Sequence, residues 1–342
     1  MKLMSMIFAL VVGVAWGAVP VIHETDLFRP HGDPDDHWDL ACQYALAKMG
    51  KIELKAVFLD YAPSNRRGDP DVQAVAQLGW ITGIPVPFGV GQRGDSTSPR
   101  SGLKLLKLVL EESKEPVVIH ITGSSHDLVL AAELWPELIR TKVKAVYLNA
   151  GSAEERNGEK EYNVKLDPLS YSKVFALQCP VYWLPCWQYC QNGAGVAGKH
   201  GSYYVFRQSQ VFEVMRAPAV NFIISMLAER QEAYWLGYID GEVNASLRST
   251  YGNQNRNMWS TISFLHAAGL TILKDGTVES AGQHPDDEIF KFVPITASCV
   301  ADGTVTWSET AAPTNRFILE ITDTQKYATA MTLALRNILS EL

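Results

Sequence analysis

The 342-residue chain lacks an excess of positive charge: 30 Lys and Arg stand against 37 Asp and Glu, for a net charge of −7. A nucleic-acid binder normally presents a basic surface, and no Lys/Arg-rich run supplies one, so nucleic acid is excluded as an expected partner. Cysteine is scarce. Cys42, Cys179, Cys186, Cys190 and Cys299 are too few and too unevenly spread to build a disulfide scaffold for a chain of this length. Cys186 and Cys190 are near enough in sequence to pair after export, whereas a zinc site there would lack a second Cys or His pair. Internal repeats and low-complexity linkers are absent, as are a P-loop and a Lys/Arg constellation that could hold a phosphate. Beyond residue 17 no apolar run is long enough to span a bilayer.

What is present is an ordinary globular composition, 47% apolar and 20% charged. At the start, Lys2 precedes an apolar stretch over residues 3–16 and the small residues Gly17 and Ala18. That pattern reads as a signal peptide of residues 1–17. An uncleaved anchor is the alternative, for which the stretch is short. The expectation is an exported protein, periplasmic or secreted, without stable membrane insertion after cleavage and with residues 18–342 forming one domain.

From about Val19 short β-rich runs alternate with longer helical patterns, the signature of βαβ units. The runs at 19–26, 52–60, 115–122, 143–150 and 180–185 are nearly continuous in apolar residues, as strands covered on both faces must be. Between them, 35–50, 69–83, 101–113 and 125–141 carry apolar residues at helical spacing. Each helical stretch begins near a Ser or an acid, and Gly50 supplies a stop for the first. A Gly-rich segment follows Cys190. The stretch 206–236 reads as helical with a break near Pro218, then hairpins turn at Asp275–Gly276 and Asp302–Gly303, and a helix over about 324–339 closes the chain. The fold class is therefore α/β, with a mainly parallel central sheet flanked by helices.

In such sheets ligands collect at the carboxyl ends of the strands, so the residues just after each strand are the place to look for chemistry. The first strand ends in Glu24, Thr25 and Asp26, and a helix then opens on Asp35 and Asp36. Asp33, Asp35, Asp36 and Asp39 crowd this segment. Carboxylates packed this closely repel one another unless protons or a cation intervene, although acids at a helix start also cap it and favour its dipole. An all-oxygen cluster suits a hard cation, with calcium the favoured choice.

Three segments in order carry a resemblance. Glu24-Thr25-Asp26 leads to the pair Asp35-Asp36, Thr122 to Leu128 reads TGSSHDL, and Glu161, Tyr162, Asn163, Asp167 and Pro168 form an E-Y-N…D-P element. The set resembles the nucleoside hydrolases over roughly residues 20–185, and the remainder matches poorly. The resemblance implies a Rossmann-like nucleoside hydrolase fold and cleavage of the N-glycosidic bond of a ribonucleoside or related N-ribosyl compound by a calcium-bound water. It assigns Ca2+ to Asp26, Asp36, Ser260 and the backbone carbonyl of His126. Asp26 becomes the general base, while Asp35, Asn65, Glu161 and Asn163 would hold the ribose. Family members often assemble as dimers or tetramers, which leaves a homo-oligomer open.

The sequence departs from the family pattern in three places. Nine positions separate Asp26 from Asp35, longer than the family's short form. Glu24 stands for the leading Asp. Toward the C-terminus the family's His-Asp pair, which helps the base leave and closes the metal shell, is absent, and Trp259 and Ser260 take its place. Trp259 cannot be a general acid but can stack on a base, and a Ser hydroxyl is a weaker calcium ligand than a carboxylate. A catalytically altered protein that binds a sugar or nucleoside is the alternative function. His266 is an alternative acid, though a solitary His on an apolar helix face is more often packed. Trp183, Trp187 and Tyr189 offer an aromatic pocket or ordinary core.

Overall fold

The computed structural model describes residues 17–30, 34–60, 68–91, 101–155, 157–191, 194–196, 198–229 and 234–342. The first 16 residues of the expected signal peptide, Asp33, Asn65 and the Cys190 side chain lie outside this description.

Nine strands form the central sheet: β1 (Val19–Thr25), β2 (Ile52–Leu59), β3 (Phe88–Val90), β4 (Val117–Ile121), β5 (Val143–Asn149), β6 (Val181–Leu184), β7 (Phe290–Cys299), β8 (Val305–Glu309) and β9 (Arg316–Ile321). Their spatial order is β8-β7-β9-β6-β5-β4-β1-β2-β3. The seven strands from β9 to β3 run parallel, while β7 and β8 are antiparallel additions. Read from one edge, β3-β2-β1-β4-β5-β6 is the doubly wound order. Its direction of winding reverses between β1 and β4, and a crevice opens at that switch point beyond the carboxyl ends.

The expected strands agree with β1, β2, β4, β5 and β6 to within one or two residues at most ends. Alternation along them feeds two cores. Val21 packs on one face of β1 and Ile22 on the other, each fully buried. Burying one such side chain is worth about 1.5–3 kcal/mol, so a one-residue slip of register would be heavily penalised.

Helices α1 (Asp35–Lys48) and α2 (Val72–Thr82) cover the first face, with α8 (Thr261–Ala267), the helix Ala217–Leu227 and the closing α9 (Tyr327–Leu339). On the opposite face lie α3 (Ser101–Glu112), α4 (His126–Leu134), α5 (Pro136–Lys142) and α7 (Pro168–Val174), the last preceded by the short α6 (Tyr162–Leu166). The single helix read over 125–141 is two, because Pro136 cannot continue α4 and instead starts α5, leaving Trp135 outside helical geometry. Likewise 204–207 is a strand paired with Asn255–Met258, and the helical stretch is interrupted just before Pro218, between Gln208–Phe212 and a new helix that carries Pro218 in its first turn. Among the described residues no helix is long and apolar enough to cross a membrane.

Candidate active site at the β1/β4 crevice

Asp26 follows β1 directly and stands between two groups of buried acids. On the α1 side, Asp36 lies in the first turn of the helix. Its carboxylate accepts hydrogen bonds from Thr25 Oγ1 at 2.5 Å and, more loosely, from Thr122 Oγ1 at 3.4 Å. Asp39 is one turn further along and fully buried, and Ser260 stands at the N-cap position of α8 beside it. On the α3/α4 side, ligand-capable oxygens of Glu24, Asp60 and Asp127 lie within 4.8 Å of one another. Asp60 follows β2 and accepts from Ser124 N at 2.5 Å.

The two sides meet at Gly123, in the turn after β4. A Cβ there would overlap Asp60 Oδ2 and come within 2.7 Å of Asp26 N, so the close approach needs glycine. Glu161 joins from the β5 side as the N-cap of α6. Its Oε2 accepts from Gly151 N at 2.8 Å and Val164 N at 3.4 Å, and its Oε1 from Asn163 N at 2.9 Å. A carboxylate offers about four acceptor positions, so roughly one remains for a ligand. Asn163 spends both amide hydrogens on Thr122 O and Asn149 O, at 3.1 and 3.2 Å, tying the ends of β4 and β5 together. Its Oδ1 is left to accept from a hydroxyl.

The electrostatics are one-sided. Burial, then the charges of Asp26, Asp35 and Asp39, raise the Asp36 carboxyl well above the usual range against the opposing Thr25 bond. Burial followed by neighbouring acids does the same to Glu24 and Asp60. Glu161 is pushed up to about 7, mainly by burial and further by Asp26, although three backbone N–H groups oppose the shift. Asp39 is pushed up to about 8 by burial and by Asp26, with the Ser260 hydroxyl opposing. The ionised neighbours that act on these five groups are all anionic. Such a nest must hold protons or a cation, and its oxygen-only donors fit a hard divalent ion. Glu24 Oε1, buried without a hydrogen-bond partner, points the same way.

The structure thus brings together Asp26, Asp36, Glu161, Asn163 and Ser260 from the sequence-derived set. Asp35 opens α1 at the crevice, partly exposed, and His126 opens α4 with its ring hydrogen-bonded to Asp167 at 2.7 Å. Asn65 is outside the described residues. Trp259, half-buried, packs against Trp187 and Tyr203 at 5.6 and 5.5 Å between ring centroids, while Trp187 and Tyr203 lie 4.5 Å apart. Trp187 pairs with Ser152 just beyond Gly151, which sets this aromatic trio beside the Glu161 wall. Trp183 is core, donating to Ala150 O at 2.8 Å.

His266 lies toward the other end of α8 from Ser260, bonded to the Tyr147 hydroxyl at 2.7 Å among Tyr182 and Phe292. Burial depresses it to about 4, as for a packed histidine. Sequence reasoning gave no site role to Asp60 or Asp127. Asp60 was findable, because it directly follows a strand.

No family profile and no curated protein sequence matches the chain. Solved structures do. The type III effector XopQ complexed with adenosine diphosphate ribose aligns over 94% of each chain at 14% identity and a TM-score of 0.56. A plant nucleoside hydrolase aligns over 93% of this chain and 98% of its own at 15% identity and 0.54. An inosine-guanosine nucleoside hydrolase does so over 94% and 98% at 15% and 0.51. The protein is a doubly wound α/β protein with an acidic crevice at its switch point. More narrowly, its fold is that of the nucleoside hydrolases, at an identity low enough that the likeness speaks for fold alone.

Proposed function

We propose that the protein hydrolyses the N-glycosidic bond of a ribonucleoside or a related N-ribosyl compound at the β1/β4 crevice. The observation that carries this reading is the convergence of Asp26, Asp36, Glu161 and Asn163, from three separate stretches of chain, on one acidic crevice in a nucleoside-hydrolase fold. Asp26, Asp36, Ser260 and the His126 carbonyl would hold a divalent ion, calcium by its preference for oxygen ligands. Such an ion supplies charge neutralisation and lowers the pKa of a water it touches.

The chain's own residues then do the following. The remaining acceptors of Glu161 and Asn163 take hydrogen bonds from ribose hydroxyls and fix the anomeric carbon. Asp26 takes the proton of the attacking water as its oxygen bonds to C1′. The electron pair of the C1′–N bond leaves on the base nitrogen, which later recovers that proton. Trp259, Trp187 and Tyr203 offer ring faces against which the departing base can stack.

The test is a panel of purine and pyrimidine ribonucleosides, aryl phosphates and aryl glycosides, each with calcium and with chelator. Base release from a nucleoside, lost on chelation and cut at least about 100-fold by Asp26→Asn, is the expected result. Wild-type protein that releases base from no nucleoside overturns it. Trp259 and Ser260, standing where the resemblance leads one to expect a His-Asp pair, favour a second reading as a binder. That protein would hold ribose or ADP-ribose without turnover.

A further inference from the structure

Glu24, Asp60 and Asp127 take no part in the reaction just described, yet one oxygen of each lies within 4.8 Å of the other two. Oxygens at about 2.3–2.6 Å from one calcium ion stand at most about 5 Å apart, so a single ion can touch all three. The residues are 3%, 4% and 5% exposed. Glu24 Oε1 has no hydrogen-bond partner, a costly condition for a buried carboxylate unless a ligand supplies what the protein does not.

The three acids stand on elements that are held in place. Glu24 belongs to β1, and its carbonyl accepts from Thr122 N at 2.8 Å just past β4. Asp60 N donates to Thr25 O at 2.9 Å just past β2, and Asp127 lies in the first turn of α4. Two glycines at strand ends make room for the carboxylates. A Cβ on Gly123 would overlap Asp60 Oδ2 and one on Gly91 would overlap Asp127 Oδ2, while Gly91 N is tied to Leu59 O at 2.8 Å. Side chains alternate along β1, so Glu24 shares the α3/α4 face with Ile22, whereas Thr25 reaches Asp36 on the α1 face. The cluster therefore lies across β1 from the Asp36 carboxylate.

We propose that Glu24, Asp60 and Asp127 form a second divalent-cation site, suited to calcium by its carboxylate donors, that ties β1, β2 and α4 together on the α3/α4 side of the crevice. Its ion neutralises that wall and gives Glu24 Oε1 a partner. The site is structural and stands independently of the hydrolase reading.

Calcium titration of the whole protein by calorimetry counts the ions, and two per chain are expected. Glu24→Gln and Asp127→Asn keep the shape and each removes one charge. Either is expected to leave one ion bound as in wild type and to weaken the other more than about 10-fold, because affinity follows the number of charged ligands. In chelator the melting temperature of either variant should equal or exceed that of wild type, since a crowded acid is gone, and it should rise less on adding calcium. If these two fail to fold, Asp60→Asn, which keeps an acceptor for Ser124 N, serves the same comparison. Wild-type affinity for both ions in the folded variants overturns the proposal. So does a single wild-type ion that Asp36→Asn loses and the Glu24 and Asp127 variants keep, an outcome that leaves the proposed function intact. A single ion with the reverse dependence upholds the site and takes the cation out of the Asp36 shell. Wild-type protein that binds no calcium overturns both sites.

Discussion

At the scale of single residues the crevice depends on a missing side chain. Gly123 brings the β4 turn against Asp26 N and Asp60 Oδ2, closer than any Cβ tolerates. Gly123→Ala must push back either the backbone of Asp26 or the Asp60 carboxylate that accepts from Ser124 N. A loss of about 1–3 kcal/mol in urea unfolding is expected, with calcium affinity falling in parallel. Wild-type values for both would show that the turn relaxes without disturbing the acids. This scale is also where the sequence was least readable. Asp26, Asp36 and Glu161 stand out because they follow strands or open helices in a recognisable order. An acid one turn inside a helix, such as Asp39, reads as solvated or capping. Its complete burial is fixed by how α1 meets α8 and β1, and no local pattern encodes that.

Elements were more legible than residues, because periodicity depends on which face is buried. The central strands and the first three helices followed their apolar spacing, and the break in the fourth came from a single proline whose effect outweighed an otherwise unbroken pattern. Joins between elements rest on long-range polar contacts that periodicity does not carry. Asp71 caps α2 by accepting from Ala74 N at 3.1 Å. The same carboxylate accepts from Arg29 Nε at 2.8 Å and His37 Nε2 at 2.9 Å. Burial alone would raise its carboxyl, but the His37 bond and the Arg29 charge hold it below the usual range. His37 adjoins Asp36, so this one carboxylate sets the start of α1 against α2 and the chain leaving β1. Asp71→Ala is expected to cost about 3 kcal/mol in urea unfolding, from the lost cap and the stranded partners. Asp71→Asn, which can still cap, should cost less, and equal losses for the two would remove the capping part of the argument.

For the whole molecule the acidic crevice and the buried histidines make opposite demands on pH. Burial depresses His23 to about 3 and His266 to about 4, and lowers His37 and His120 as well. The unfolded chain binds more protons than the native one at these sites, so they favour folding increasingly as pH rises toward 6.5 and add nothing further above it. Asp39 and Glu161 behave the other way. Raised to about 8 and about 7, they hold protons in the native state that the unfolded state has released, so their contribution is lost as pH climbs through those values. Glu24, Asp36 and Asp60 act in the same direction, and so does His126, raised by its Asp167 bond. Between pH 6.5 and 8 the acids are therefore unopposed. In chelator the melting temperature is expected to fall across that window. Calcium competes with those same protons, so the stabilisation it confers at a fixed concentration should grow over the same interval. A chelated protein whose melting temperature stays level from pH 6.5 to 8, together with a calcium shift independent of pH, would mean that the crevice acids are neutralised by something other than protons or a cation.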